Sequence, residues 1–158
     1  PLDSKKEIAY VTQTTLSIDD TKEIVEAIKK KFSNVLEPKK NDICYATTNR
    51  QEAVKDIAKY CDCFLVIGAS NSSNSLRLVE VAKNYGAKKA ILVDDVDSLN
   101  LGIFENAENI GVTASASSPE ILVKKLINKL KDNFDIKINE SNYLKEDVYF
   151  KVPQKLKN

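Results

Sequence analysis

The stretch Val66–Leu78, VIGASNSSNSLRL, decides how the rest of the chain is read. Phe64-Leu-Val-Ile67 is an apolar run of strand length that stops at Gly68. Two Asn and three Ser fill Asn71–Ser75, and a helical pattern then places Leu76, Val79 and Ala82 on one side. In that order, free backbone N–H groups and the positive end of a helix dipole meet side chains able to bind oxyanions. The stretch reads as one wall of an anion site.

Upstream, Glu7–Thr12 (EIAYVT) reads as a strand and Thr12–Ser17 (TQTTLS) as its turn. A helix is expected from about Ile18 to Phe32, with Ser17 as N-cap, Asp19 and Asp20 in its first turn and Lys29–Lys31 in its last. Ser33–Asn41, with Pro38, Lys39 and Lys40, reads as an exposed connection and the candidate domain boundary. Asp42–Thr47 leads into a second helix, with Thr48 and Gln51 at capping-box spacing and Val54, Ile57 and Ala58 on its buried side.

Downstream, the helix after Asn71–Ser75 is expected to end near Gly86. Ala90–Val93 is a further strand, followed by Asp94, Asp95 and a short helical segment. Asn109–Thr113 is the last strand, Ala114–Ser118 its turn, and Pro119 at the first helical position opens a helix through about Lys131. Beyond it lies a polar tail with alternating segments at Ile136–Ile138 and Val148–Val152. Short apolar strands alternating with helices predict an α/β fold with a parallel sheet.

The chain has 158 residues, 42% hydrophobic and 30% charged, within the range of ordinary globular proteins. A net charge of +1 gives no electrostatic case for nucleic acid or an anionic membrane. No apolar run approaches the roughly 20 residues needed to span a bilayer. Three cysteines without a secretion signal argue against a disulfide framework and for a reducing compartment. The chain contains no Met and no His, which removes the commonest general base and metal ligand. Opening on Pro-Leu-Asp, it looks like a piece of a longer protein.

In a parallel sheet the strand-to-helix turns share one edge, where ligands bind. Three such turns here, TQTTLS, GASNSSNS and TASASS, are rich in Ser, Thr and Asn and contain no Lys or Arg. None has the glycine spacing of a Walker or dinucleotide motif, so ATP and NAD are disfavoured. A helix needs only one capping side chain, and all three turns exceed that need. The excess favours a polyanion, a phosphate or diphosphate, held by neutral donors and peptide dipoles.

Cys44 precedes a helix, where the dipole favours the thiolate; alone it could be a nucleophile, a metal ligand or a small buried residue. Cys61 and Cys63 straddle a strand start and read as structural, pointing to opposite faces. Asp19/Asp20 and Asp94/Asp95 read as helix-start and turn residues rather than metal ligands.

TQTTLS with Asp19-Asp20-Thr21, DICYATTNRQEAV (Asp42–Val54), NSSNSLRL (Asn71–Leu78) and GVTASASSPEILV (Gly111–Val123) together resemble 4-hydroxy-3-methylbut-2-enyl diphosphate reductase, in that family's order and spacing. The resemblance implies a trefoil-like enzyme of three similar small parallel-sheet α/β domains with flanking helices. At its centre would sit a 4Fe–4S cluster held by one cysteine per domain, with one iron open to the substrate's hydroxyl. Reductive dehydroxylation would give isopentenyl and dimethylallyl diphosphate, the last step of the methylerythritol phosphate route. A ferredoxin- or flavodoxin-type electron donor and a bacterial cytoplasm or plastid are implied with it.

Carried over by motif, Cys44 is a cluster ligand and Ser72, Ser73, Asn74 and Ser117 bind the diphosphate. Thr14 lies beside the substrate hydroxyl as a catalytic residue, to orient it or relay a proton. Cys61 and Cys63 do not match ligand positions, and Ser115 and Ser118 replace a more usual Gly and Ala. The family's other two cysteine ligands, its substrate-contacting histidines and its glutamate proton donor belong to an N-terminal half that this sequence does not contain. Residues 1–38 would end the second domain, 39–131 form the third, and 132–158 return towards the first. Such a piece should expose apolar surface, be poorly stable and be inactive alone. The alternatives are a stand-alone diphosphate-binding α/β module without redox activity and a phosphosugar isomerase, the latter disfavoured by the absence of His.

Overall fold

The computed structural model describes residues 2–38 and 42–140. Its elements run β1 (Glu7–Ala9), α1 (Ile18–Lys31), β2 (Asn34–Leu36), α2 (Tyr45–Ala58), β3 (Cys63–Ile67), α3 (Ser73–Asn84), β4 (Lys89–Val93), a single 3-10 turn (Leu101–Phe104), β5 (Ile110–Ala114) and α4 (Glu120–Asn133). The strands form two parallel sheets, β1–β2 and β4–β3–β5. The α/β architecture with small parallel sheets and flanking helices is therefore as expected.

All five residues of β3 are buried, which explains the unbroken apolar run. Side chains alternate across a sheet, so Phe64 and Val66 face Val54 and Ala58 of α2 and Leu78, Val81 and Ala82 of α3. Cys63, Leu65 and Ile67 face the other way, towards Phe104 and towards Leu126 and Leu130 of α4. Cys61 joins the first cluster and Cys63 the second, on opposite faces as expected. Leu65 sits between Ile91 of β4 and Val112 of β5, at the centre of the sheet.

Several local expectations are corrected. The Ser33–Asn41 connection contains β2, whose Val35 pairs with Ile8; three residues are too short for a periodic signal, and only the partner strand reveals them. The three Ser/Thr-rich turns do not all leave one sheet, because the first follows β1 in the smaller one. Thr48 and Gln51 form no capping box, because Cys44 is the N-cap of α2 and Gln51 lies beyond its first turn. Leu76 is 46% exposed; with Ser72 as N-cap, the phase of α3 turns Asn74, Ser75, Leu78, Val81 and Ala82 inward. Pro119 is the N-cap of α4 rather than its first helical residue.

The first element group is thinly packed. Helix α1 has no buried residue, and Val11 and Ile24 are 86% and 60% exposed. Of the expected tail, Phe134 and Ile136 pack on the α4 side of the core and Ile136–Ile138 forms no strand. The segment Val148–Val152 lies outside the described residues.

Candidate functional site

The site is assembled at three helix starts. Cys44 caps α2 in an extended conformation, its Sγ accepting from the Thr47 amide at 3.4 Å and lying 3.1 Å from Thr47 Oγ1. Burial pushes this thiol up, but the Thr47 hydroxyl, the Thr47 and Ala46 amides and the Arg50 charge outweigh it, and the net shift is downward. A half-buried thiol with a lowered pKa, held by N–H donors at a helix N-terminus, suits nucleophile or metal-ligand chemistry. The buried-residue reading of Cys44 falls away on that exposure. Cys61 and Cys63 differ: both are buried, and burial pushes both thiols up.

Ser72 caps α3, its Oγ accepting from the Ser75 amide at 3.3 Å, which leaves its own O–H free to donate. Ser73, the first helical residue, is exposed, whereas Asn74 is 5% exposed and Ser75 fully buried. The Asn74 side chain reaches α2, where Thr47 Oγ1 donates to its Oδ1 at 3.5 Å. Asn74 Nδ2 and Ser75 Oγ are buried without a hydrogen-bond partner among the described residues. An unmet buried donor costs about 1–3 kcal/mol. Both groups lie at the start of α3, beside an excess of hydroxyls, and Ser75 Oγ packs against Gly68.

The last turn is tied to the same place. Ser118 Oγ donates to the Ile67 carbonyl at 2.9 Å, so its 2.7 Å contact with Ser115 Oγ takes the Ser115 proton. Ser117 is exposed, with its Oγ 3.4 Å from that of Ser115. Gly68 makes this meeting possible: a Cβ there would collide with Ser75 Oγ and lie 3.1 Å from Ser115 Oγ. Arg50 of α2 adds the cation that the turns lack, donating to the Ala114 carbonyl at 3.1 Å and to the Ala46 carbonyl at 3.2 Å.

Thr14 comes from the other sheet. Its carbonyl accepts from the Cys44 amide at 3.1 Å, and its side chain is exposed. Buried Gln51 fixes this turn, accepting from the Ile18 amide at 3.1 Å and donating to the Leu16 carbonyl at 2.8 Å. Thr14, Cys44, Thr47 and Asn74 thus form one connected path, with Ser72 and Ser73 at its α3 end and Ser117 reached across Gly68 and Ser115. The sequence assigns no role to Thr47 or Arg50, marks Gln51 only as part of a capping box, and marks Ser75 only as one of the surplus donors at Asn71–Ser75. Thr47 had a usable signal, since the third residue after an N-cap faces the cap; the long-range partners of Gln51 and Arg50 had none.

A shallow cavity of about 260 Å³ lies against the last turn, lined by Ser70, Ser117, Ser118 and Asp94 among others. The Asp94 carboxylate makes it a poor host for an anion, and Ser72–Asn74 lie outside it. Among the described residues no group of three His, Cys, Asp or Glu could hold a metal ion. No helix among them is long and apolar enough to cross a membrane.

The family model described as LytB protein matches residues 2–131. The chain belongs to the LytB protein family. Relatives in it include the 4-hydroxy-3-methylbut-2-enyl diphosphate reductases of Phenylobacterium zucineum, 50% identical over 149 residues, and of Methylococcus capsulatus, 51% identical over 150. These matches take in 94% and 95% of this chain. The chain spans about half the length of these relatives, 47% and 48%. Among LytB-type structures, the E-1-hydroxy-2-methyl-but-2-enyl-4-diphosphate reductase of Plasmodium falciparum superposes with a TM-score of 0.79 at 36% identity, over 92% of this chain and 48% of that one.

Proposed function

We propose that this chain is the C-terminal half of a 4-hydroxy-3-methylbut-2-enyl diphosphate reductase. The complete protein would convert its substrate to isopentenyl and dimethylallyl diphosphate by reductive dehydroxylation. The observation that carries this reading is the pair of buried, unmet donors, Asn74 Nδ2 and Ser75 Oγ, one helix start away from the half-buried, lowered thiol of Cys44. It rests also on relatives named for that activity.

The roles divide by chemistry. Ser72 and Ser117 hydroxyls, the exposed Ser73 at the start of α3 and the Asn74 amide donate to the diphosphate oxygens, with the α3 dipole favouring the negative charge. Thr14 holds or passes a proton at the oxygen that leaves. Arg50 supports the negative charge of the Cys44 thiolate from within its hydrogen-bonded position.

Cys44 fits one ligand position of a 4Fe–4S cluster, since its sulfur carries an N–H donor and its thiol is lowered. Cys61 and Cys63 do not fit, being buried on opposite faces of β3. The remaining ligands would come from the part of the relatives that this chain does not span. When bound, the cluster supplies the two electrons of the reduction, received from a ferredoxin- or flavodoxin-type donor. The domain limits at 1–38, 39–131 and 132–158 and a bacterial cytoplasm or a plastid belong to the same proposal.

The test compares the full-length protein with this chain alone. Anaerobic reconstitution should give a stoichiometric 4Fe–4S spectrum and substrate reduction only in the full-length protein. Cys44→Ser should abolish both. A stable cluster on this chain alone would overturn the reading. Tight binding of isoprenoid diphosphates by this chain, with no reductase activity in the full-length protein, would favour the stand-alone module.

A further inference from the structure

Thr47 is fully buried and touches both halves of the site. Its amide donates to Cys44 Sγ at 3.4 Å, and its hydroxyl lies 3.1 Å from that sulfur and 3.5 Å from Asn74 Oδ1. A hydroxyl has one proton, and which neighbour receives it has a consequence for Asn74. When the proton goes to Asn74 Oδ1, the amide is held with Nδ2 on the far side, buried and without a partner. When it goes to sulfur, Asn74 is best placed by turning over and donating Nδ2–H to Thr47 Oγ1. The far side then presents a carbonyl oxygen, which repels an anion. An amide has no shape preference between these two orientations, because its O and N are nearly isosteric.

We propose that Thr47 is a positioning residue that selects the orientation of the Asn74 amide, and so decides whether this position donates to a diphosphate or repels it. The inference deepens the proposed function and rests on its assignment of Asn74 to the diphosphate. The Cys44 sulfur does not depend on the hydroxyl alone, since the Thr47 amide remains on it. Bound anion and sulfur therefore compete for one proton, and diphosphate binding draws it to Asn74.

The experiment measures the affinity of the full-length protein for inorganic diphosphate by titration calorimetry. Thr47→Val keeps the shape and the backbone amide but removes the hydroxyl; it should weaken binding about tenfold, the effect of one well-placed hydrogen bond. Thr47→Ser should bind within about twofold of the unaltered protein. Asn74→Asp has no donor, so adding Thr47→Val to it should weaken binding no further. Thr47→Ala serves as the hydroxyl-free variant where Thr47→Val lowers the melting temperature. Unchanged affinity in the hydroxyl-free variants, or an equal loss in the Asn74→Asp background, would overturn the inference and leave the proposed function standing. No diphosphate binding by the unaltered protein would bring down both.

Discussion

The Cys44 amide donates to the Thr14 carbonyl at 3.1 Å, and this one backbone bond joins the turn after β1 to the start of α2. The proposed function gives the two residues different tasks, proton handling and cluster ligation, and they follow the two paired strands of the small sheet, Thr14 after β1 and Cys44 after β2. Their separation depends both on the β1–β2 pairing and on how α1 and its turn dock on α2. Lys55 reinforces the docking, its Nζ 2.9 Å from Asp19 Oδ1, while Tyr85 donates to Asp19 Oδ2 at 2.7 Å.

Gln51 makes two hydrogen bonds across that docking, one accepted and one donated. Gln51→Leu fills the same space but leaves the Ile18 amide and the Leu16 carbonyl without their partner. The expected loss is about 2 kcal/mol, read as a lowered midpoint in urea unfolding. An unchanged midpoint would show that water replaces both bonds at no cost.

Gly68→Ala tests the close approach of the second and third turns. The added methyl meets Ser75 Oγ and Cβ and crowds Ser115 Oγ, and Ser75 is fully buried. Stability should fall by about 1–3 kcal/mol, and affinity for inorganic diphosphate should fall with it because the turns are forced apart. Gly102→Ala, where the methyl meets only the end of the Asn100 side chain, should change neither.

The cysteines should separate by reactivity. In metal-free protein at neutral pH, iodoacetamide should label Cys44 at least about tenfold faster than Cys61 or Cys63. The Cys44 thiol is lowered and half-buried, whereas burial raises the other two. Peptide mass spectrometry of a time course gives the order; equal rates would remove the electrostatic reason for choosing Cys44 as a ligand. Under the proposed function, loading a cluster into the full-length protein should protect Cys44, and chelation of the iron should expose it again.

Asp62 should set part of the acid sensitivity. The Lys88 ammonium at 2.7 Å and the amides of Asn109 and Glu108 hold its carboxyl at about 2, against an ordinary 3.8. A lowered carboxyl contributes stability that is present above its unfolded pKa and lost as pH falls through the folded one. Melting temperature should therefore drop more steeply between about pH 4 and pH 2 in the parent than in Asp62→Asn. Parallel slopes in the two proteins would refute this.

Much of the larger sheet was legible in advance. Strand β3 is an apolar run because both of its faces are covered. Ser17 and Ser72 are caps because a short side-chain oxygen reaches the amide three residues on. The surplus of donors in Asn71–Ser75 was visible for the same local reason. Strand β2 was not, because three residues carry no period and its identity depends on β1. The capping-box reading failed because Cys, an uncommon cap, displaced Thr48 from that role and released Gln51 for another.

Residue order alone thus determined the α/β class, the approximate positions of the helices and the chemistry on offer at the turns. Each of these depends on neighbours within a few positions, where backbone geometry leaves few choices. Tertiary structure alone decided which groups meet: Thr47 with Asn74 across 27 positions, Gln51 with Leu16 across 35, and Arg50 with Ala114 across 64. Those bonds form where helices and turns pack closely enough to exclude water, and no local pattern names the partner on the far side.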